Sequence, residues 1–293
     1  MKSTHSDFVS QGVRCAGTLL TPHAGTPAPV IVMAHGFGLI RSAGLPAFAA
    51  RFVQAGYAVF LFDYRSFGDS DGLPRQWISP RRHIEDWRAA LAHVRTLEAV
   101  DSQRIVLWGT SFSGGHTLQV AARDTGISAV VTLVPHVSGP ASLRNTPWLT
   151  ALRLSLAGLQ DVLGGLFDCP VYRPIVGHPG DVAALTGQGA WSGYLQLLPA
   201  QARWRNITRA QVFLELPFYS PIRHAHRIQA PVLVIAGRND CVTPPDAARS
   251  AATRMPQGRF ELLDGDHFQP FAGDLFEQGM RMQLAFLHEV VPV

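Results

Sequence analysis

The chain has 293 residues, of which 47% are hydrophobic and 16% charged, and its formal net charge is +4. This length suits one large α/β domain, with or without an insertion, whose core buries roughly three quarters of the surface that the unfolded chain exposes. The basic residues are scattered arginines without a clustered patch, which argues against a nucleic-acid partner and favours a solvated basic surface.

Cysteine usage and hydropathy exclude several other classes of protein. The three cysteines are far apart and form no C-x-x-C pair, so we expect no disulfide framework, no metal site and no cofactor. No apolar run approaches the ~18 residues of a membrane span, and the first residues lack the apolar stretch of a secretory signal. We therefore expect a cytoplasmic protein, with a homo-oligomer left open.

In chain order, short β-rich runs alternate with longer amphipathic ones, which is typical of a mostly parallel sheet flanked by helices. Residues 8–20 alternate loosely and predict an antiparallel hairpin. Apolar runs then predict buried strands at 30–34, 58–62, 105–108, 130–134, 232–236 and 260–263. Helices are predicted over 45–55, 80–97, 113–122, 244–254 and 275–290.

The interval 136–220 breaks this alternation. Helical pieces at 148–166 and 190–198 are separated by turns that contain Pro and Gly, and a structureless loop of this length is implausible in a compact domain. We predict a largely helical cap at 136–220, inserted into a core formed by residues 1–135 and 221–293. The cap carries many apolar side chains that suggest a hydrophobic substrate: Leu149, Leu152, Leu156, Leu159, Leu163, Phe167, Trp191, Tyr194, Leu197, Leu198 and Trp204.

The Gly-x-Ser-x-Gly pattern of serine hydrolases occurs once in full, around Ser70, but its context is wrong. No helix opens after it, and Asp69 and Asp71 would oppose negative charge at Ser70. We interpret this segment as a polar turn.

The imperfect match around Ser111 has the required context. It follows the strand at 105–108 and opens a helix, so Ser111 lies on a sharp turn between the two. Gly109 and Ser113 are small enough for close packing of strand and helix. The helix N-terminus adds free N–H groups where negative charge develops. Ser111 is the predicted nucleophile.

Its partners follow in the chain order of this type of site. Asp240 lies just past the strand at 232–236, and His267 lies in the loop between the last strand and the last helix. Asp264 and Asp266 are rival acids in the histidine's own turn, and Asp240 is preferred. We predict that His267 is the base and that Asp240 orients it.

An oxyanion hole is predicted from two backbone N–H groups, those of Phe37 and Phe112. Phe37 follows the strand at 30–34, and Phe112 directly follows the predicted nucleophile. For His35, a structural role within its own loop is preferred over catalysis.

With these motifs, the sequence resembles the α/β-hydrolase superfamily over nearly its whole length. Within it, three runs look like the branch of dienelactone-hydrolase-like and fermentation–respiration-switch-type esterases: His35-Gly36-Phe37-Gly38, Phe62 through Ser70, and Gly109-Thr110-Ser111. The resemblance implies the α/β-hydrolase fold and the triad, whereas it does not define the substrate. Our first hypothesis is a serine hydrolase that cleaves a carboxylic ester or lactone of a small to mid-sized, largely hydrophobic substrate through an acyl-enzyme on Ser111.

One alternative remains open at the level of the sequence, and two others are disfavoured. An amidase, thioesterase, acyltransferase or cyclase would use the same three side chains on a small-molecule acyl substrate. A catalytically silent binding module is disfavoured because no member of the predicted triad is missing. Dehalogenase or epoxide hydrolase chemistry is disfavoured because those enzymes place Asp where this chain has Ser111.

Overall fold

The computed structural model describes residues 1–23 and 26–293. The strands of these residues are, in chain order, β1 (Lys2–His5), β2 (Phe8–Ser10), β3 (Val13–Cys15), β4 (Gly17–Thr21), β5 (Ala28–Ala34), β6 (Ala58–Phe62), β7 (Val100–Thr110), β8 (Ala129–Leu133), β9 (Tyr172–Arg173), β10 (Thr208–Arg209), β11 (Val232–Gly237) and β12 (Gly258–Leu263). The helices are α1 (Leu45–Gln54), α2 (Pro80–Val94), α3 (Phe112–Ala121), α4 (Gly139–Leu143), α5 (Trp148–Gly164), α6 (Ala190–Gln196), α7 (Val212–Glu215), α8 (Pro245–Ala252) and α9 (Gly273–Val290).

Within the described residues, eight strands form one sheet in the order β1-β4-β6-β5-β7-β8-β11-β12. The pairs from β6 to β12 are parallel, whereas β4 is antiparallel to β6 and to β1. All six strands predicted from apolar runs lie in this sheet, so the predicted α/β fold with its mostly parallel sheet is confirmed.

The N-terminal hairpin differs from the prediction. Only β2 and β3 pair as a hairpin, while β4 leaves it and joins the main sheet. Leu19 and Leu20 are both buried there, because the two faces of β4 contact different sides of the core. The polar β1, exposed throughout, covers the edge of the sheet beside β4.

The central strands are buried on both faces, as their continuous apolar runs predict. In β5, Val30 and Val32 face the cluster that α2, α3 and α8 cover, and Ile31 and Met33 face the cluster that α1 and α9 cover. All four side chains are fully buried, which stabilises the fold by about 1.5–3 kcal/mol for each. Among the described residues, none of the helices has the length and apolarity needed to cross a bilayer.

The predicted cap, residues 136–220, lies in the chain between β8 and β11 and contains α4 to α7. It also contains a two-stranded sheet of β9 and β10 that the sequence did not predict. Asp161 of α5 forms a buried ion pair with Arg209 of β10, and its carboxylate also accepts the backbone N–H groups of Val171 and Gln211. One buried carboxylate thus joins helix and small sheet. The division into core and cap stays a prediction.

Candidate active site

Ser111 lies on the turn between β7 and α3, with φ of 52° and ψ of −120°. Such a backbone conformation costs a non-glycine residue about 1–3 kcal/mol, so the surrounding structure must hold it. The N–H of Ser111 donates to the carbonyl of Leu133 (2.9 Å), and the N–H of His136 donates to the carbonyl of Ser111 (2.8 Å). The end of β8 therefore fixes the turn.

Small residues allow the strand and the helix to meet at this turn. A Cβ atom on Gly109 would lie 2.5 Å from the carbonyl oxygen of Ser113, so only glycine fits at position 109. Ser113 occupies the usual last glycine position and is fully buried, with its Oγ accepting a hydrogen bond from the Tyr64 hydroxyl at 3.1 Å. The departure from Gly-x-Ser-x-Gly is thus accommodated by a polar partner.

The structure brings Ser111, His267 and Asp240 together. His267 Nε2 lies 3.0 Å from Ser111 Oγ, and its Nδ1 lies 2.7 Å from Asp240 Oδ2. Asp240 and His267 are buried and occupy the loops that follow β11 and β12, at the carboxyl ends of two neighbouring parallel strands. The rival acids do not contact the imidazole: Asp264 pairs with Arg238, and Asp266 accepts backbone N–H groups in its own turn.

Asp240 is held by residues that the sequence reasoning did not single out. Its Oδ1 accepts the backbone N–H groups of Val242 (2.8 Å) and Thr243 (2.7 Å). The hydroxyl of Thr243 lies 2.7 Å from Oδ2 and 3.2 Å from His267 Nδ1. An Asp followed by Thr three residues later is a local turn signal that could have indicated this contact.

Phe37 and Phe112, the two residues predicted to form the oxyanion hole, line the same cavity as Ser111. A Cβ atom on Gly36 would lie 3.3 Å from the Cβ of Ser111, so the loop after β5 passes directly beside it. Within residues 1–23 and 26–293, the N–H groups of Phe37 and Phe112 donate to no other protein atom. Both N–H groups therefore lack a partner within the described residues, as an oxyanion hole requires, and the hole itself stays a prediction.

Two aromatic side chains of residues 136–220 fix the loop that carries Phe37. The hydroxyl of Tyr194 donates to the carbonyl of Phe37 at 2.8 Å, and the indole N–H of Trp204 donates to the carbonyl of Gly38 at 2.7 Å. The sequence placed both residues among the apolar side chains of the cap, and only the fold reveals their polar contacts.

A cavity of about 190 Å³ opens beside Ser111. Over the described residues, its lining contains no Asp, Glu, Lys or Arg side chain: Phe37, Ser111, Phe112, His136, Gly139, Ser142, Leu143, Asn145, Thr146, Ala184, Leu185, Thr186, Gly187, Leu216, Cys241, Val242 and Thr243. A smaller space of about 20 Å³ lies on the other side, where Tyr194 and Leu197 approach His267.

The apolar cap residues that suggested a hydrophobic substrate differ in position, and three of them, Trp191, Leu198 and Trp204, are partly buried against the core. Tyr194 and Leu197 lie beside the nucleophile. Five leucines of α5 and Phe167 instead lie on the outer surface, each exposed by 47% or more, so they do not shape the cavity: Leu149, Leu152, Leu156, Leu159, Leu163 and Phe167.

A cluster of buried histidines packs behind the cavity. His83 Nδ1 lies 3.2 Å from His116 Nε2, and His116 Nδ1 lies 2.6 Å from the Tyr219 hydroxyl. Burial lowers the pKa of His136 to about 4 and that of His35 to about 3. Burial, reinforced by neighbouring histidines, also lowers the pKa values of His83 and His116 well below the ordinary value. Burial therefore favours the neutral form of these rings.

Ser70 lies in a buried turn away from these groups. Its hydroxyl donates to the carbonyl of Asp63 and accepts the N–H of Ala16, both at 2.8 Å. His35 Nδ1 lies 3.0 Å from the carbonyl of Gly36 in its own loop. Both residues are thus engaged in local contacts.

A sheet of this order, with a strained serine at the end of a central parallel strand, defines the α/β-hydrolase class of fold. The family model described as the alpha/beta hydrolase family matches residues 31–277, and the chain belongs to that family.

Individual proteins are also similar to this chain in sequence or in structure. The quorum-quenching protein AidA of Acinetobacter baumannii is 39% identical over 98% of this chain and 94% of its own length. The polyketide transferase af380 of Aspergillus fumigatus is 28% identical over 89% of each chain. The crystal structure of the α/β hydrolase GrgF from Penicillium sp. superposes with a TM-score of 0.84, at 22% identity over the full length of both chains. These relatives support the superfamily, whereas the narrower dienelactone-hydrolase-like branch stays a prediction.

Proposed function

We propose that the protein is a serine hydrolase that cleaves a carboxylic ester or lactone through an acyl-enzyme on Ser111. The proposal rests on the continuous hydrogen-bonded series from Ser111 Oγ through His267 to Asp240. Ser111, at one end of this series, lines a cavity without charged side chains among the described residues. Ser111 Oγ lies 3.0 Å from His267 Nε2, and a carboxylate orients the imidazole. A serine hydroxyl is activated by a base in this arrangement.

In the first half-reaction, Ser111 Oγ attacks the acyl carbon while His267 Nε2 takes the hydroxyl proton. Asp240 holds the imidazole with its Nδ1–H towards Oδ2 and stabilises the imidazolium. The carbonyl oxygen of the substrate becomes negatively charged and accepts the N–H groups of Phe37 and Phe112. His267 then donates its proton to the leaving alkoxide, which departs as an alcohol or, from a lactone, remains attached to the acyl group.

In the second half-reaction, a water molecule loses a proton to His267 Nε2 as its oxygen attacks the acyl carbon. The same two backbone N–H groups stabilise the second tetrahedral intermediate. Its collapse returns the proton to Ser111 Oγ and releases a carboxylic acid. Each N–H group aimed at the developing charge contributes about 3–4 kcal/mol in a comparable oxyanion hole.

The cavity supports a substrate of small to mid size without a charged acyl group. A cavity of about 150 Å³ accommodates benzene, so about 190 Å³ fits an acyl group somewhat larger than one ring. Ser142, Asn145 and Thr186 add neutral polar groups to the largely apolar wall, which suits an acyl group with one or two hydrogen-bonding atoms.

Acyl transfer is the second candidate, because one of the relatives is described as a polyketide transferase and another, 25% identical over 96% of this chain, as a thiohydrolase. The acyl-enzyme on Ser111 is common to both reactions. An alcohol or amine acceptor would take the place of water, and a thioester would take the place of the ester.

The test is a product analysis with p-nitrophenyl esters of increasing chain length, with medium-sized lactones and with acyl thioesters, each with and without an added amine or alcohol. We expect the free acid as the main product and the highest kcat/KM with short to medium neutral chains. Acyl transfer to the acceptor as the main product would favour the second candidate. No turnover of any ester, thioester or lactone would contradict both.

A further inference from the structure

Helix α5 exposes apolar side chains to solvent along one of its faces. Six leucines along it and along the 3₁₀ turn that follows are exposed by between 47% and 76%: Leu149, Leu152, Leu156, Leu159, Leu163 and Leu166. We call this set the leucine seam. None of its members lines the cavity beside Ser111, so the seam is separate from the candidate active site.

The spacing of the leucine seam is 3-4-3-4-3, which is the a/d spacing of a heptad repeat. On a helix this spacing gives a narrow apolar stripe that fits against the same kind of stripe on another helix. With 17 residues, α5 is about 25 Å long, which is enough for more than two heptads.

The opposite face of α5 is already used within the chain. Leu154, Ala157 and Asp161 are buried, and Gly158 approaches so closely that a Cβ atom there would lie 2.9 Å from Leu214. Asp161 anchors this face through its ion pair with Arg209. The helix cannot turn its leucines inward without breaking that buried pair.

We propose that the leucine seam binds the leucine seam of a second copy of this chain, which makes the protein a homodimer through α5. A two-fold axis makes the same surface face itself, and a stripe of identical leucines is complementary to its own copy. Together with Trp148, Val162 and Phe167, the seam presents on the order of 1,000 Å² of apolar surface. A monomer rarely exposes a contiguous apolar patch of more than a few hundred Å². One partner of a standard protein–protein interface buries about 800 Å², so the seam is large enough for such an interface.

A second protein helix fits the seam better than a lipid surface does. A helix that lies on a membrane carries Lys and Arg on a solvated polar face. In α5 the face opposite the seam is buried against the rest of the chain, so it is not a solvated polar face. Arg153 is the one exposed cation of the helix among the described residues. A narrow stripe at heptad spacing with little charge beside it therefore favours helix pairing.

The test is sedimentation velocity of the full chain from about 1 to about 100 μM, a range that detects micromolar dimers. We expect a concentration-dependent dimer for the wild type. The double variant Leu156→Glu/Leu159→Glu should raise the dissociation constant by at least about 100-fold, because it would bury four uncompensated carboxylates in the dimer. The matched control is Val9→Glu, which changes an apolar side chain of β2 that is 65% exposed and far from α5 in sequence; it should remain dimeric.

Circular dichroism checks that each variant is folded, and the uncharged variant Leu152→Gln/Leu163→Gln repeats the test without added charge. A wild type that stays monomeric at every concentration would overturn the proposal. A dimer that persists in the seam variants would also overturn it, as would a Val9→Glu control that dissociates equally. A monomeric wild type that floats with phosphatidylglycerol-containing vesicles would assign the seam to a lipid surface instead.

Discussion

Acidification should destabilise this protein strongly because four histidines are buried in the neutral state. His35, His83, His116 and His136 are each exposed by 8% or less, and burial lowers the pKa of every one of them. In the unfolded chain the same side chains bind a proton near pH 6.5. Below that pH the unfolded state therefore binds more protons than the folded state, and the free energy of unfolding falls as the pH falls.

The size of the effect follows from proton linkage. Between about pH 7 and about pH 5.5, a histidine that stays neutral when folded costs about 1.2 kcal/mol of stability, so four cost about 5 kcal/mol. Burial raises the pKa values of the Asp63 and Asp86 carboxyls, and these groups act in the opposite direction. We expect a net loss of about 3–5 kcal/mol, a large part of the 5–15 kcal/mol that is typical of a folded domain.

Urea unfolding followed by tryptophan fluorescence at the two pH values measures this difference at constant ionic strength. The variant His83→Phe keeps a flat ring stacked on Tyr64 and should remove about a quarter of the pH dependence, whatever its stability at pH 7. The matched control is His226→Gln, which replaces a histidine exposed on the surface. A wild-type difference below about 1 kcal/mol would refute the neutral burial of these histidines.

Three substitutions test the geometry around Ser111. Asp240→Asn should lower kcat by about 10⁴ while leaving the fold intact, because the amide stabilises the wrong tautomer of His267; steady-state kinetics and circular dichroism measure both, and unchanged kcat would contradict the assignment. Gly109→Ala should lower the free energy of unfolding by about 1–3 kcal/mol in urea titrations, because its Cβ would lie 2.5 Å from a carbonyl oxygen; a fully stable variant would show that the turn is not tightly packed. Tyr194→Phe removes the hydroxyl that orients the Phe37 peptide and should lower kcat about 10-fold with little change in KM, whereas an equal rise of KM alone would assign Tyr194 to substrate binding.

The local parts of the fold could be predicted from the sequence. The apolar runs of β5 and β6 are continuous because helices cover both faces of a central parallel strand. A strand with one face in solvent would alternate polar and apolar residues, so a continuous run indicates a central strand. The turn at Ser111 could also be predicted, because the strand, the small residues and the helix that form it are adjacent in the chain.

The non-local parts could not be predicted in this way. The alternation in residues 8–20 is compatible with a hairpin or with strands that separate, and tertiary pairing of β4 with β6 decides between them. The leucine spacing of α5 predicts an apolar stripe but not its direction. Gly158 and Asp161 decide the direction, because close approach and a buried ion pair fix the opposite face inward.

Labelling with a fluorophosphonate serine probe, followed by peptide mass mapping, tests the proposed nucleophile most directly. The wild type and Ser70→Ala should both be labelled, with the adduct on the peptide that contains Ser111, and Ser111→Ala should not be labelled. Ser70 is the matched control, because its hydroxyl is already used in two buried hydrogen bonds. An adduct on any other serine, or labelling that persists in Ser111→Ala, would contradict the assignment of Ser111 as the nucleophile.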